Sequence, residues 1–293
     1  MAIATENFLI QNMDMSRYGP VRSSVCAVLF FGLLFLQTAP TAEGRAQQVE
    51  NKTAAAEPSN ADTHPILVEL FTSEGCSSCP PADALLEKMD NSPPINGARL
   101  IVLSEHVDYW DHDGWKDPNS SAALTERQAD YVRTLGLKEP YTPQIIVDGT
   151  SEVRANNPQQ FAKVFQDAAV VPKIPVHIGE VSIDPGNPNV LRAHIEADGS
   201  SVNHNADVFV AVALDRVESQ VLRGENGGKH LTNVAVVLQI TKVGKLSKGK
   251  SFDETVPLKL KPGTDPKSLR IVAFVQESGP GKLLGVALRR PVS

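Results

Sequence analysis

The sequence predicts an α/β domain over residues 65–172 followed by an all-β, sandwich-like domain over residues 173–293. Two patterns carry that division. Up to Pro172, strand-length apolar runs alternate with segments of helical spacing; from Ile174 onward apolar residues recur with period two and no helix of useful length is legible. A third pattern sets both domains behind an export leader: residues 1–46 read as a signal peptide and residues 47–64 as a flexible, polar, Ala-rich spacer.

The leader has basic Arg17 and Arg22, the apolar run Val25 to Leu36, and then small and polar residues. A bilayer span needs roughly twenty apolar residues, so this shorter run implies cleavage rather than anchoring. Cuts after Gly44 or after Ala46 both leave small residues for the peptidase, and Met13 or Met15 would give a more compact start than Met1. The mature protein is expected to be secreted or periplasmic, without stable membrane insertion. Cys26 lies early in the apolar run, away from a lipid-attachment position, so Cys76 and Cys79 are the cysteines of the mature chain.

The first strand is expected at Ile66–Thr72, a nearly continuous apolar run broken by Glu69, as suits a strand buried on both faces. After a polar turn come Cys76 and Cys79, then Pro80, Pro81, Ala82, Leu85, Leu86 and Met89: prolines in a first turn followed by helical spacing. A second strand spans Arg99–Ser104, and Leu124, Gln128, Tyr131, Val132 and Leu135 trace a second helix ending at Gly136. Thr142-Pro143 opens a short strand, Asp148-Gly149 turns it back, and Asn157-Pro158 caps a last helix with Phe161, Val164, Phe165 and Ala168 inward. Beyond it, period-two strands are read at Val176/Ile178, Val181/Ile183, Leu191/Ile195, Val208/Leu214, Val256/Leu260 and Ile271/Val275.

Two residues between cysteines at a helix start suit dithiol–disulfide exchange. Unpaired amides and the helix dipole favour thiolate on the first, more exposed sulfur, so Cys76 is expected to attack and Cys79 to resolve. Glu69 is either a buried carboxylate that takes the proton of Cys79 or a solvent-facing residue at a strand edge. Thr142-Pro143 is the second anchor, because a cis bond there places backbone polar groups beside the cysteines. Three other uses of the pair stay open: an inert disulfide, a zinc site and a copper site, the metal readings recruiting Cys76, Cys79 and His106.

The order strand, Cys-x-x-Cys helix, strand, helix, Thr-Pro, hairpin and helix resembles the thioredoxin superfamily from Ile66 to Val171. More closely, the stretches Glu69 to Asp83, His106 to Asp111, Tyr141 to Gln144 and Gly224-Glu225-Asn226 resemble the predicted-secreted-protein family called domain of unknown function 1223. The resemblance implies a thioredoxin-like N-terminal domain, with Cys76 and Cys79 as the dithiol and Pro143 as the cis-proline beside it. Two departures stand out: Gly75 replaces the aromatic residue usual before the first cysteine, and Ser77-Ser78 replaces Gly-Pro between the pair.

The segment His106 to Trp115 gathers both tryptophans with two histidines and three aspartates. It reads as a recognition lip using Tyr109, Trp110 and Thr142, as an aromatic cap, or as a metal loop using His106, Asp108 and His112. Arg127 and Gln128 receive no role, and the glycine-dense 224–230 segment lacks phosphate-loop spacing and reads as a long loop. The net charge of −6, with no basic block, argues against nucleic acid as a partner. Protein thiols or disulfides are the expected clients and no cofactor is implied. A non-catalytic binding scaffold and a copper or zinc handler remain the alternatives to an oxidoreductase.

Overall fold

The computed structural model of the protein describes residues 64–92 and 98–291. The expected signal peptide and the spacer up to residue 63 lie outside the described residues, whereas His64, read as the last spacer residue, begins the first strand. Among the described residues no helix is long and apolar enough to cross a membrane.

The chain is a mixed α/β structure dominated by strands. In order, β1 (His64–Thr72), α1 (Pro80–Asn91), β2 (Ala98–His106), α2 (Ala122–Thr134), β3 (Gln144–Val147), β4 (Ser151–Val153) and α3 (Pro158–Ala169) come first. Then follow β5 (Val176–Asp184), β6 (Asn187–Ala197), β7 (Ala206–Gln220), β8 (His230–Leu246), β9 (Phe252–Lys259), β10 (Leu269–Glu277) and β11 (Leu283–Arg289). One large mixed sheet runs β11-β10-β7-β8-β2-β1-β3-β4, and β5-β6-β9 form a separate three-stranded sheet.

This corrects the expectation of a self-contained sandwich over 173–293. β7, β8, β10 and β11 share a sheet with β1 and β2, and β8 pairs in parallel with β2 at Ser104–Val236. The sheet also curls: Leu67, Ile101 and Leu103 pack in one core with Ala211, Ala213, Phe274 and Val286. Apolar residues from both sides of position 172 therefore leave water together, which ties the two segments by burial rather than by a linker.

The faces of β1 decide what lies near the cysteines. Side chains alternate along a strand, so Ile66, Val68 and Leu70 pack under α1 with Ala82, Leu86 and Met89. Leu67, Glu69 and Phe71 point to the opposite face, where Phe71 meets Tyr131 of α2. Local signals fix the helix starts: Pro80 opens α1, the Ser121 side chain accepts from the Ala123 amide at α2, and Asn157 accepts from the Gln160 amide at α3.

Candidate functional site

The carboxyl ends of β1 and β2 and the start of α1 converge on one turn. The Cys76 amide donates to Ser73 O at 3.1 Å and the Cys79 amide to Cys76 O at 3.2 Å. Cys79 is the N-cap of α1, its carbonyl accepting from Ala82 and Asp83. Cys76 and Cys79 are joined in a disulfide. Both residues are 0% exposed, which corrects the expectation of a solvent-open Cys76, while Ser77 and Ser78 between them are exposed.

Two loops pack on the turn. Gly75 lies against Trp110, such that a Cβ on Gly75 would stand 3.0 Å from the Trp110 Cβ. The aromatic bulk missing before the first cysteine is thus supplied from the loop after β2, and a side chain at position 75 would collide with it. Trp110 Nε1 donates to Thr142 Oγ1 at 2.8 Å, so this half-buried pair, expected to contact substrate, ties the Pro143 segment to the loop against the cysteine turn. Tyr109 beside it is exposed. The Thr142–Pro143 peptide bond is cis.

The second loop comes from residues 221–229, between β7 and β8. The buried Asn226 side chain donates to Glu74 O at 2.8 Å and to Cys76 O at 2.9 Å, and Glu225 Oε2 accepts the Ser77 amide at 3.2 Å. Its glycines permit the approach: Gly224, at φ +76, packs so closely on Asp113 and Trp115 that a Cβ would lie 3.0 Å from Asp113 O. A segment 150 residues away from Cys76 in sequence therefore clasps its carbonyl.

Beneath the turn is a polar cluster. Asp117 Oδ2 accepts from the Glu74 amide at 2.8 Å and lies 2.7 Å from His106 Nδ1; Trp115 Nε1 donates to Glu74 Oε2. Burial pushes the Asp117 carboxyl up, but the His106 charge and the hydrogen bonds outweigh it and hold the pKa below its ordinary value. Burial pulls His106 down, yet Asp117, with Asp83 and Glu74, holds its pKa above the ordinary imidazole value. Asp83, one helical turn after Cys79, accepts from Thr72 Oγ1 at 2.8 Å; burial raises its pKa to about 6.

Glu69 is buried, but its position on the α2 face of β1 separates it from this cluster, so it is not the proton acceptor the sequence suggested. It pairs with Arg127 at 2.6 Å and accepts from Tyr131 OH at 2.5 Å. Arg127 and Gln128, left without a role, are both structural anchors. Arg127 also faces Glu105, and Gln128 donates to Tyr141 O and Gln144 Oε1, bracing the segment that carries Pro143.

The metal readings lose their sulfur donors in the oxidised pair. In the disulfide neither sulfur is a thiolate ligand; His106 is held through Nδ1 by Asp117, while its Nε2 has no hydrogen-bond partner among the described residues. His106, Asp108 and His112 do not converge: Asp108 accepts from Thr125 Oγ1, and His112 is exposed. Among the described residues the convergent donor set is His194, Glu196 and Asp253, far from the turn on β6 and β9.

Beside the cysteines opens a cleft of about 760 Å³, lined by Ser78, Pro81, Leu85, Tyr141, Pro143 and Arg154 among others. Ser78 joins cleft and sulfur, because its Oγ lies 3.4 Å from Cys76 Sγ. Neither cysteine lines the cleft itself; Ser78 is the lining residue that meets Cys76 Sγ. The arrangement offers a helix-start disulfide, a buried acid one turn away and a mostly apolar groove alongside.

A family model described as Protein of unknown function (DUF1223) matches residues 67–276. Among solved structures, a crystal structure of an Agrobacterium tumefaciens protein is 30% identical, with a TM-score of 0.60, over 76% of this chain and 92% of that one. The Bacillus subtilis sporulation control protein Spo0M (12% identical, TM-score 0.27, 41% of this chain and 47% of that one) is a distant likeness. So is a domain of the Porphyromonas gingivalis outer membrane lipoprotein Omp28 (14% identical, TM-score 0.26, 41% and 89%). At those TM-scores neither carries an argument. No curated protein matches the sequence.

Proposed function

The chain belongs to the DUF1223 family, and from its site we propose that it is an exported, thioredoxin-like thiol–disulfide oxidoreductase whose Cys76–Cys79 disulfide is shielded at rest. The observation that carries this reading is Ser78, which at once lines the cleft and touches Cys76 Sγ. Rotation of that small side chain opens a path from groove to sulfur. A buried structural disulfide has no need of a cleft at its edge, and a loop this short adds little stability by chain entropy.

The exchange balances with a client dithiol as reductant. A client thiolate in the cleft attacks Cys76 Sγ, the Cys76–Cys79 bond breaks, and Cys79 leaves as a thiolate that takes a proton. The second client thiol, on losing its proton, attacks the mixed disulfide and releases Cys76, leaving two protein thiols and a client disulfide. Pro143 forms the groove wall against which an extended client segment lies. Asp83, rather than Glu69, is the acid on the Cys79 side of β1.

The burial of both sulfurs favours a second reading, in which the disulfide is fixed and the cleft alone binds partners. Two measurements separate them. Under native conditions, without denaturant, dithiothreitol should reduce the pair to two titratable thiols. Cys79→Ser, incubated with extracts containing oxidised clients, should accumulate mixed disulfides through Cys76. Resistance to reduction until the protein unfolds, with no adducts on Cys79→Ser, would leave the binding scaffold.

A further inference from the structure

The cysteine turn is closed by an acidic side chain from the far end of the chain. Of the turn amides, Cys76 donates to Ser73 O and Cys79 to Cys76 O, while the Ser77 amide, next to the attacking sulfur, donates to Glu225 Oε2. Backbone amides at a helix start lower a cysteine pKa by meeting the thiolate charge. Here the exposed Glu225 carboxylate already accepts from the amide of the residue after Cys76, and it brings a negative charge to the turn where Cys76 would carry its own. Neighbouring like charges oppose one another.

Resting on the exchange reading above, we propose that Glu225 is a positioning residue that sets the acidity of Cys76 and the reduction potential of the Cys76–Cys79 couple. Its carboxylate disfavours the Cys76 thiolate, so the reduced form is penalised and the disulfide favoured. Reduction adds two electrons to the pair, supplied by a client or reagent dithiol that is itself oxidised to a disulfide; the pair keeps two protons where Cys76 is neutral and one where it is ionised, the other going to solvent. The carboxylate acts only when Cys76 is ionised, which gives the effect a pH signature. Asn226 serves differently: its two hydrogen bonds to the carbonyls of Glu74 and Cys76 place Glu225 over the turn without adding charge.

The other ionisable groups around the turn are Lys229 on the same loop, Glu74 within the turn, Asp83 on α1, and His106 with Asp117 after β2. All of them stay in place in Glu225→Gln, which keeps an oxygen for the Ser77 amide and removes only the charge. Reduced wild type and Glu225→Gln are alkylated with iodoacetamide across pH, with Cys76 read by mass spectrometry, and both are equilibrated with dithiothreitol at pH 6 and pH 9. The variant is expected to show a Cys76 pKa lower by about one unit. At pH 9 its equilibrium should favour the dithiol by about tenfold, about 30 mV for a two-electron couple. At pH 6, with the thiol neutral, the two proteins should agree.

Equal pKa values and equal equilibria at pH 9 would overturn the role of Glu225 while leaving exchange intact. A shift of the same size at both pH values would also overturn it, since that marks a loosened loop rather than a removed charge. A wild-type disulfide that yields to dithiothreitol only on unfolding defeats the exchange reading, and this inference with it.

Discussion

Arg127→Met is expected to destabilise the protein by about 3–5 kcal/mol near neutral pH, the range for removing one partner of a buried ion pair. Arg127 lies between carboxylates from two neighbouring strands: it pairs with Glu69 of β1 at 2.6 Å and faces Glu105 of β2 at 3.7 Å, both carboxylates fully buried. Its guanidinium also donates to Tyr131 OH and Gln276 Oε1, and lies over the rings of Tyr131 and Phe274. Burial, and then the Glu69 charge, push the Glu105 carboxyl well above its ordinary pKa even with Arg127 present. Without the guanidinium, Glu105 must hold its proton or remain charged away from water beside Glu69, and either outcome costs stability. The loss is largest at pH 8 and shrinks at lower pH, where Glu105 is more readily neutral. Urea unfolding at pH 8 and pH 5 measures both; a loss under about 1 kcal/mol at pH 8 would show that the carboxylates are not held by Arg127.

Glu69 also shows how far the sequence could be read. Its burial was one of two open readings, but its direction was not legible, because that depends on which face of β1 receives α1. Alternation along β1 puts Leu70 under α1 and Glu69 under α2. The partners that settle it, Arg127 and Tyr131, lie 58 and 62 residues downstream of Glu69 and carry no local signal.

β8 and β11 were the strands missing from the sequence reading, and β8 joins the two halves of the sheet. Period two fails there: Asn233 to Val237 are buried in succession, because α1 covers one face and the curled sheet the other. Ala235, at φ +52, breaks the alternation further. The local signals survived better. Pro80-Pro81 after Cys79, Asn157-Pro158 and Asp148-Gly149 are each governed by a few adjacent residues, and the helices and turn lie where they point. The Gly224-Glu225-Asn226 segment was conspicuous, but its target was not, since nothing in a loop names the turn its side chains will meet 150 residues away.

Asp83→Asn should remove a pH dependence built into the base of the cysteine turn. Burial, opposed by His106 and by hydrogen bonds from Thr72 and Asn233, raises the Asp83 pKa from 3.8 to about 6. The sign follows from proton binding. Between about pH 4 and pH 6 the native state holds the proton and the unfolded chain releases it, so stability falls as pH rises and levels off above the folded pKa. A displacement of that size corresponds to about 3 kcal/mol in all, most of it lost between pH 4 and pH 7. Asparagine is neutral throughout and keeps an oxygen for Thr72 Oγ1, now 2.8 Å from Asp83 Oδ1. The variant should match the wild type at pH 4 and exceed it by about 3 kcal/mol at pH 8 in paired urea titrations. A stabilising group would have given the opposite slope, so an acid kept at this cost beside Cys79 is consistent with a proton acceptor for its thiol. In that case Asp83→Asn, although more stable, should slow reoxidation of the reduced pair by oxidised dithiothreitol at pH 7, the direction in which Cys79 gives up its proton, by about tenfold or more, within the range for loss of a general base. An unchanged reoxidation rate together with the stability gain would leave Asp83 as a buried acid with no part in exchange.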